Sequence, residues 1–224
     1  MARFLRISSA YPGFIKYFSN KNSNLYKKKY DDLLKDFFLE RYSISNFITE
    51  ELKNKGYECY EVVENVKLLQ DKWINEYGDE FSERNTLLQQ IKFYKPNIIY
   101  FGNSDLVNKS FIECLRKLDF VDLIILFHCA PINRNLKEKF DYVDGIVTCT
   151  EGYFNNIKNV STKKVLLMRH AFSDLNLEGI KKFKRDIDIA FTGSIFLGDK
   201  LHNDRIVFLY SVIKNFKNTY IAIN

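Results

Sequence analysis

Three places in this sequence carry side chains suited to chemistry. His128 directly follows the apolar run Leu123–Phe127. An imidazole at the end of a strand can take or give a proton near neutral pH, or it can be a satisfied structural ring. Glu151 follows a second run, Gly145–Cys149, where a carboxylate can accept ligand hydroxyls or act as a base. Thr150-Glu151 before an aromatic run reads more readily as a helix start. Gly193-Ser194 ends a third run, and its backbone N–H groups can meet a diphosphate because glycine has no Cβ to block the approach. His202 and Arg205 follow at a spacing of three, on one face of a helix start, where a cationic pair suits a phosphate. Asp204 beside them also permits a plain solvated turn. A fainter signal is the loop after the first strand, with Ser8, Tyr11 and Gly13 in or near it.

These residues need a scaffold that brings strand ends together. Short apolar runs at Phe4–Ser8, Tyr57–Val63, Asn97–Phe101, Asp122–Phe127, Gly145–Cys149 and Lys164–Met168 read as six strands. Helical spacing falls between them, at Leu25–Lys55 with a break near Ser43, then Val66–Tyr77, Phe81–Tyr94 and Leu106–Leu118. Ser9–Asn24 reads as a polar loop, and the link between the fourth and fifth strands as a short polar connection. Alternation of this kind predicts an α/β fold, a Rossmann-like and mainly parallel sheet covered by helices on both faces. Right-handed crossovers then put every strand's C-terminal end on one edge, where ligands bind.

The alternation breaks at the basic run Lys181–Arg185. We read residues 1–170 as one domain, 171–186 as a linker, and 187–224 as the first strand-helix-strand of a second Rossmann-like domain. In that piece Ile206, Leu209, Tyr210 and Ile213 are spaced to form the buried face of the helix.

The composition is that of a globular protein, with 46% hydrophobic and 28% charged residues. A net charge of +6 suits a phosphate-bearing ligand or peripheral contact with an anionic membrane surface. Abundant Lys, Asn and Ile read as a compositional bias. No helix-turn-helix or RRM-type signature appears, which argues against nucleic acid as a partner. The four cysteines form no CxxC pair or Cys/His metal spacing. Cys59, Cys129 and Cys149 fall in or beside strands and read as small buried residues in a reducing cytoplasm. The longest apolar runs are strand-sized, so no membrane span is expected.

Five stretches, KPNIIYFG (95–102), LIILFHCAPI (123–132), DGIVTCTEGYF (144–154), VLLMRHAF (165–172) and DIAFTGS (188–194) with HNDR (202–205), carry a family resemblance. Their order resembles the GT-B glycosyltransferases, most nearly the glycosyltransferase-4-like and spore-maturation-type members. The resemblance implies transfer of a sugar from a nucleotide-sugar donor to a glycan or other acceptor, with no cofactor beyond the donor. The first domain would be the acceptor side, with Ser8, Tyr11, Gly13 and Glu151 as substrate-binding candidates. His128 is similar to the histidine that relatives keep near the donor sugar. Gly193, Ser194, His202 and Arg205 would hold the donor phosphates, and the donor glutamate of many relatives would fall beyond residue 224. Asp186-Ile187-Asp188 resembles the metal-binding D-x-D of the other large glycosyltransferase fold, but it begins a strand instead of ending one, so a metal-independent reaction is expected. The alternative is a non-catalytic α/β module that binds a sugar or a partner.

Overall fold

The computed structural model describes residues 2–21, 23–42, 45–78, 85–171, 173–177, 184, 186–193, 195 and 200–223. They fall into two compact units, Met1–Phe172 and Ser173–Asn224.

In the first unit six parallel strands form one sheet in the order β2-β1-β3-β4-β5-β6. They are β1 (Arg3–Ser8), β2 (Glu58–Val63), β3 (Ile98–Phe101), β4 (Leu123–Phe127), β5 (Gly145–Thr148) and β6 (Lys164–Leu167). The crossovers carry α1 (Pro12–Lys21), α2 (Tyr30–Leu39), α3 (Phe47–Asn54), α4 (Lys67–Tyr77), α5 (Thr86–Tyr94), α6 (Lys109–Leu115), α7 (Arg134–Tyr142) and α8 (Glu151–Val160). This is an α/β, Rossmann-like sheet flanked by helices.

Strand alternation assigns the two faces. Leu5, Ile7, Ile99, Phe101, Ile124, Leu126 and Ile146 pack against Ile91 of α5, Leu115 of α6, Phe140 of α7 and Ile157 of α8. On the opposite face Phe4, Cys59 and Tyr100 meet Ile48 and Leu52 of α3. That face also buries an ion pair between register partners of β1 and β2. Arg6 Nε lies 2.9 Å from Glu61 Oε2, both side chains are under a tenth exposed, and Thr49 of α3 donates to Glu61 Oε1 at 2.7 Å. Burial raises the Glu61 carboxyl above the usual range, and Arg6 opposes that shift. Slipping β2 by one residue would strand both charges, so the pair fixes the register.

Two stretches differ from the sequence reading. Ser9–Asn24 holds helix α1 instead of a loop. Pro12 at its first position has φ preset for a helix, and Phe14 and Phe18, four apart, are buried against Phe37 of α2. The connection between β4 and β5 holds α7, where Asn133 caps the helix by accepting from Leu136 N, and Leu136 and Phe140 are buried.

The cysteine reading also needs correction. Cys59 is buried and its thiol is pushed up by burial, but Cys129 and Cys149 are disulfide-bonded. Phe127 and Val147 are register partners on β4 and β5. Two residues further along each strand, Cys129 and Cys149 face each other with Cα atoms 6.1 Å apart. The argument for a reducing compartment therefore fails for this pair.

The second unit pairs β7 (Ile189–Gly193) with β8 (Thr219–Ile223) in parallel through α9 (Lys200–Asn215). Of the predicted face of α9, Leu209 is buried and Ile206 half-buried, but Tyr210 and Ile213 are exposed, and Val212 joins Leu209 in the buried stripe. A helix over only two strands covers a narrow stripe. No helix among the described residues is long and apolar enough to cross a membrane.

Candidate functional site

In a sheet of order 2-1-3-4-5-6, chain connections run one way from β1 and the other way from β3. The loops after these two strands therefore part, leaving a crevice at their C-terminal ends. A cleft of about 550 Å³ lies there. Ser9, Ala10, Tyr11 and Pro12 after β1, Glu64 and Asn65 after β2, and Gly102, Asn103, Asp105 and Leu106 after β3 line it.

The three loops are tied to one another by side-chain hydrogen bonds. Asn65 accepts from Ala10 N and donates to Ala10 O, both at 2.8 Å, and so locks the β1 loop to the β2 loop. Ser9 Oγ donates to Glu64 Oε1 at 2.7 Å, and Asn103 Nδ2 donates to Ser9 Oγ at 3.4 Å. Asn103 Oδ1 accepts from Asp105 N at 2.9 Å, starting the short 3-10 turn Ser104–Leu106. Lys139 of α7 anchors that turn by donating to Ser104 O at 2.8 Å. Gly102 lets β3 end close to β1, because a Cβ there would sit 3.3 Å from Ile7 O.

With this scaffold fixed, two acidic groups face the cleft in different states. Glu64 is held by Ser9. The Asp105 carboxylate is exposed and makes no hydrogen bond or ion pair among the described residues. No Lys, Arg or His is among the lining residues, in a chain of net charge +6. Such a cleft favours neutral hydroxyls or amines over phosphates.

The candidates named from the sequence are placed unevenly. Tyr11 lines the cleft. Ser8 lies just behind it, buried, with Oγ 3.5 Å from Val62 O, and Ser9 takes the lining position. Gly13 is the second residue of α1, and a Cβ there would meet open space, so nothing local requires glycine. His128 does not open into the cleft. It is 7% exposed, its Nε2 lies 2.8 Å from Ala130 O, and its ring meets Phe140 edge-on at 5.8 Å. Burial holds its imidazole below the ordinary range. Glu151 begins α8, which Thr150 caps by accepting from Tyr153 N, and it is ion-paired with Arg169 on the surface.

In the second unit Phe191, Gly193 and Arg205 form a stack. The Arg205 guanidinium lies over the Phe191 ring at 5.9 Å, and a Cβ on Gly193 would come within 3.0 Å of that same ring. Glycine at 193 thus has a packing reason of its own. Ser194 and the side chain of His202 lie outside the described residues. Asp186 and Asp188 precede β7, as expected. Among the described residues no group of three His, Cys, Asp or Glu side chains could hold a metal ion.

Glu64, Asn65, Asn103 and Asp105 were missed. The signal existed, since each follows a predicted strand, but which loops are neighbours depends on strand order. No protein-family model matches the chain, and no curated protein sequence matches it.

Proposed function

We propose that the chain is the acceptor-side part of a GT-B glycosyltransferase, with the start of its nucleotide-sugar domain in residues 187–224, and that its acceptor sits in the cleft between β1 and β3. The observation carrying this reading is the lining itself: hydroxyl, amide and carboxylate groups at the switch point of a parallel sheet. That combination matches a polyhydroxylated acceptor. The phosphates of the donor belong with Gly193, Ser194, His202 and Arg205. Transfer forms a bond between the acceptor oxygen and the sugar's anomeric carbon, and breaks that carbon's bond to the nucleotide diphosphate. The acceptor hydroxyl must lose its proton, and in this reading the Asp105 carboxylate, exposed in the cleft lining, takes it. Glu64, already bonded to Ser9, positions the acceptor.

One observation favours a non-catalytic sugar-binding module instead: His128, the histidine nearest in kind to the family's, is turned into the core. Calorimetric titration of the chain with UDP- and GDP-sugars, alone and with glycan acceptors, tests the two. Binding of both ligand classes supports the enzyme. Binding of glycans alone supports the module.

A further inference from the structure

Beside the cleft the surface carries an aromatic ledge that extends from Tyr11 to Tyr42. Tyr11, 60% exposed, lines the cleft on one side and meets Tyr42 edge-on at 6.3 Å on the other. Tyr42, 46% exposed, stacks on the buried ring of Phe14 at 4.5 Å and 17°. Both rings are large apolar surfaces left to solvent, and Tyr42 is braced from behind by Phe14.

The brace is built by two elements. Phe14 is held in the core by Phe37 of α2 at 5.0 Å, so the platform beneath Tyr42 cannot shift without disturbing α1 and α2. Tyr42 follows Arg41, which adopts φ 52 just past Glu40, the C-cap of α2, with its N–H bonded to Phe38 O at 3.1 Å. That left-handed turn, unusual for a side chain with a Cβ, swings the chain back over α1. Arg41 is held in turn by the ring of Phe47 on α3, 5.7 Å from its guanidinium.

We infer that the cleft and this ledge are one extended site for a saccharide of two or more rings. One ring places its hydroxyls on Asn103, Glu64 and Asp105, and the next lays its apolar C–H face on Tyr11 and Tyr42. A pyranose has both surfaces, a rim of hydroxyls and a face of C–H bonds, and the protein presents the complements side by side. Free phosphate lacks the second surface, and the phosphates of a nucleotide meet two carboxylates and no cation at the first. The inference rests on the acceptor-side reading of the cleft.

The test is NMR titration of the full chain, labelled at tyrosine and asparagine, with three probes each for glucose, galactose and N-acetylglucosamine. These are the methyl glycoside, a disaccharide containing the sugar, and the p-nitrophenyl glycoside. The expected result is that all three forms of one sugar move Asn103, while the disaccharide and aryl glycoside also move Tyr11 and Tyr42 and bind about 10-fold more tightly than the methyl glycoside. Tyr42→Ala should abolish that advantage and leave methyl glycoside binding unchanged. Tyr42→Phe should preserve both, which separates loss of the ring from loss of its hydroxyl.

Equal binding of mono- and disaccharides, with Tyr42 unmoved, overturns the ledge and leaves the acceptor-side cleft intact. Shifts at Asn103 with UDP or GDP and with no saccharide overturn both. Silence from every saccharide and nucleotide at tens of millimolar also overturns both. Tyrosine shifts with phosphatidylglycerol vesicles and not with saccharides would make the ledge a membrane contact and overturn the inference.

Discussion

The C-terminal edge of the first sheet has two ends that look alike in sequence and differ in structure. After β1, β2 and β3 the loops part around a cleft, bonded to each other through Asn65, Ser9 and Asn103, with the Asp105 carboxylate unengaged among the described residues. After β4, β5 and β6 the groups are engaged with one another. The Cys129–Cys149 disulfide bridges two strand ends, His128 is turned into the core, and Glu151 pairs with Arg169. A polar residue just past a strand is thus only a candidate. What separates the ends is the reversal in connection direction between β1 and β3, which opens one pair of loops.

The largest expected effect breaks the comparison outright if it appears at the wrong end. In a form of the protein that turns over, Asp105→Asn should lower acceptor-dependent transfer at least about 100-fold, the scale of a lost general base. His128→Gln should change it less than about 3-fold, because the ring lies outside the cleft. Rates of nucleotide release with and without acceptor measure both. A reversal of the two results would move the chemistry to the β4 end.

The disulfide sharpens the contrast next. It closes a segment with a sequence separation of 20, so Cys129→Ala with Cys149→Ala should cost about 3 kcal/mol in urea unfolding under oxidising conditions. Ligand affinity in the cleft should stay unchanged. A cleft that weakens with the double variant would show that the two ends communicate.

Much of the fold was legible, and the reason is local. Every strand of the first sheet falls on a short stretch rich in apolar residues, and Gly56, at φ 85, stops α3 as its position before β2 suggests. Helices α1 and α7 were passed over although their signals were present: Pro12 with Phe14 and Phe18, and Asn133 with Leu136 and Phe140. Asparagine, read as compositional bias, caps α5, α6 and α7 through Asn85, Asn108 and Asn133. The site was less legible because it is non-local. Tyr11 could be placed near a cleft from the first strand alone. Choosing Glu64 and Asp105 over His128 and Glu151 requires knowing that β1 lies between β2 and β3, while β4 and β5 stand about 10 and 14 Å from it. The disulfide was hidden for the same reason, since it follows from the register of β4 on β5.

A smaller effect probes the lashing of the open end. Asn65→Ala removes both bonds to Ala10 and should cost about 1–3 kcal/mol, mostly through an unsatisfied backbone group at the loop. Saccharide affinity should fall with it. Loss of stability without loss of affinity would mean the β1 loop keeps its shape unaided.

The smallest effect concerns the closed end and is read in pH. Burial holds His128 below the ordinary value of 6.5, with the hydrogen bond to Ala130 O only partly opposing it. As pH falls, the unfolded chain therefore takes up the proton first. The stability that His128 contributes is fully present above about 6.5 and is lost as pH drops toward the folded value. Urea unfolding at pH 7.5 and 5.5 should show wild type losing more stability on acidification than His128→Gln, whose side chain cannot titrate. Comparing the two proteins cancels the contributions of every other titrating group, which they share. If the losses are equal, the ring is solvated in solution, and the β4 end is as open to a ligand as the β1 end.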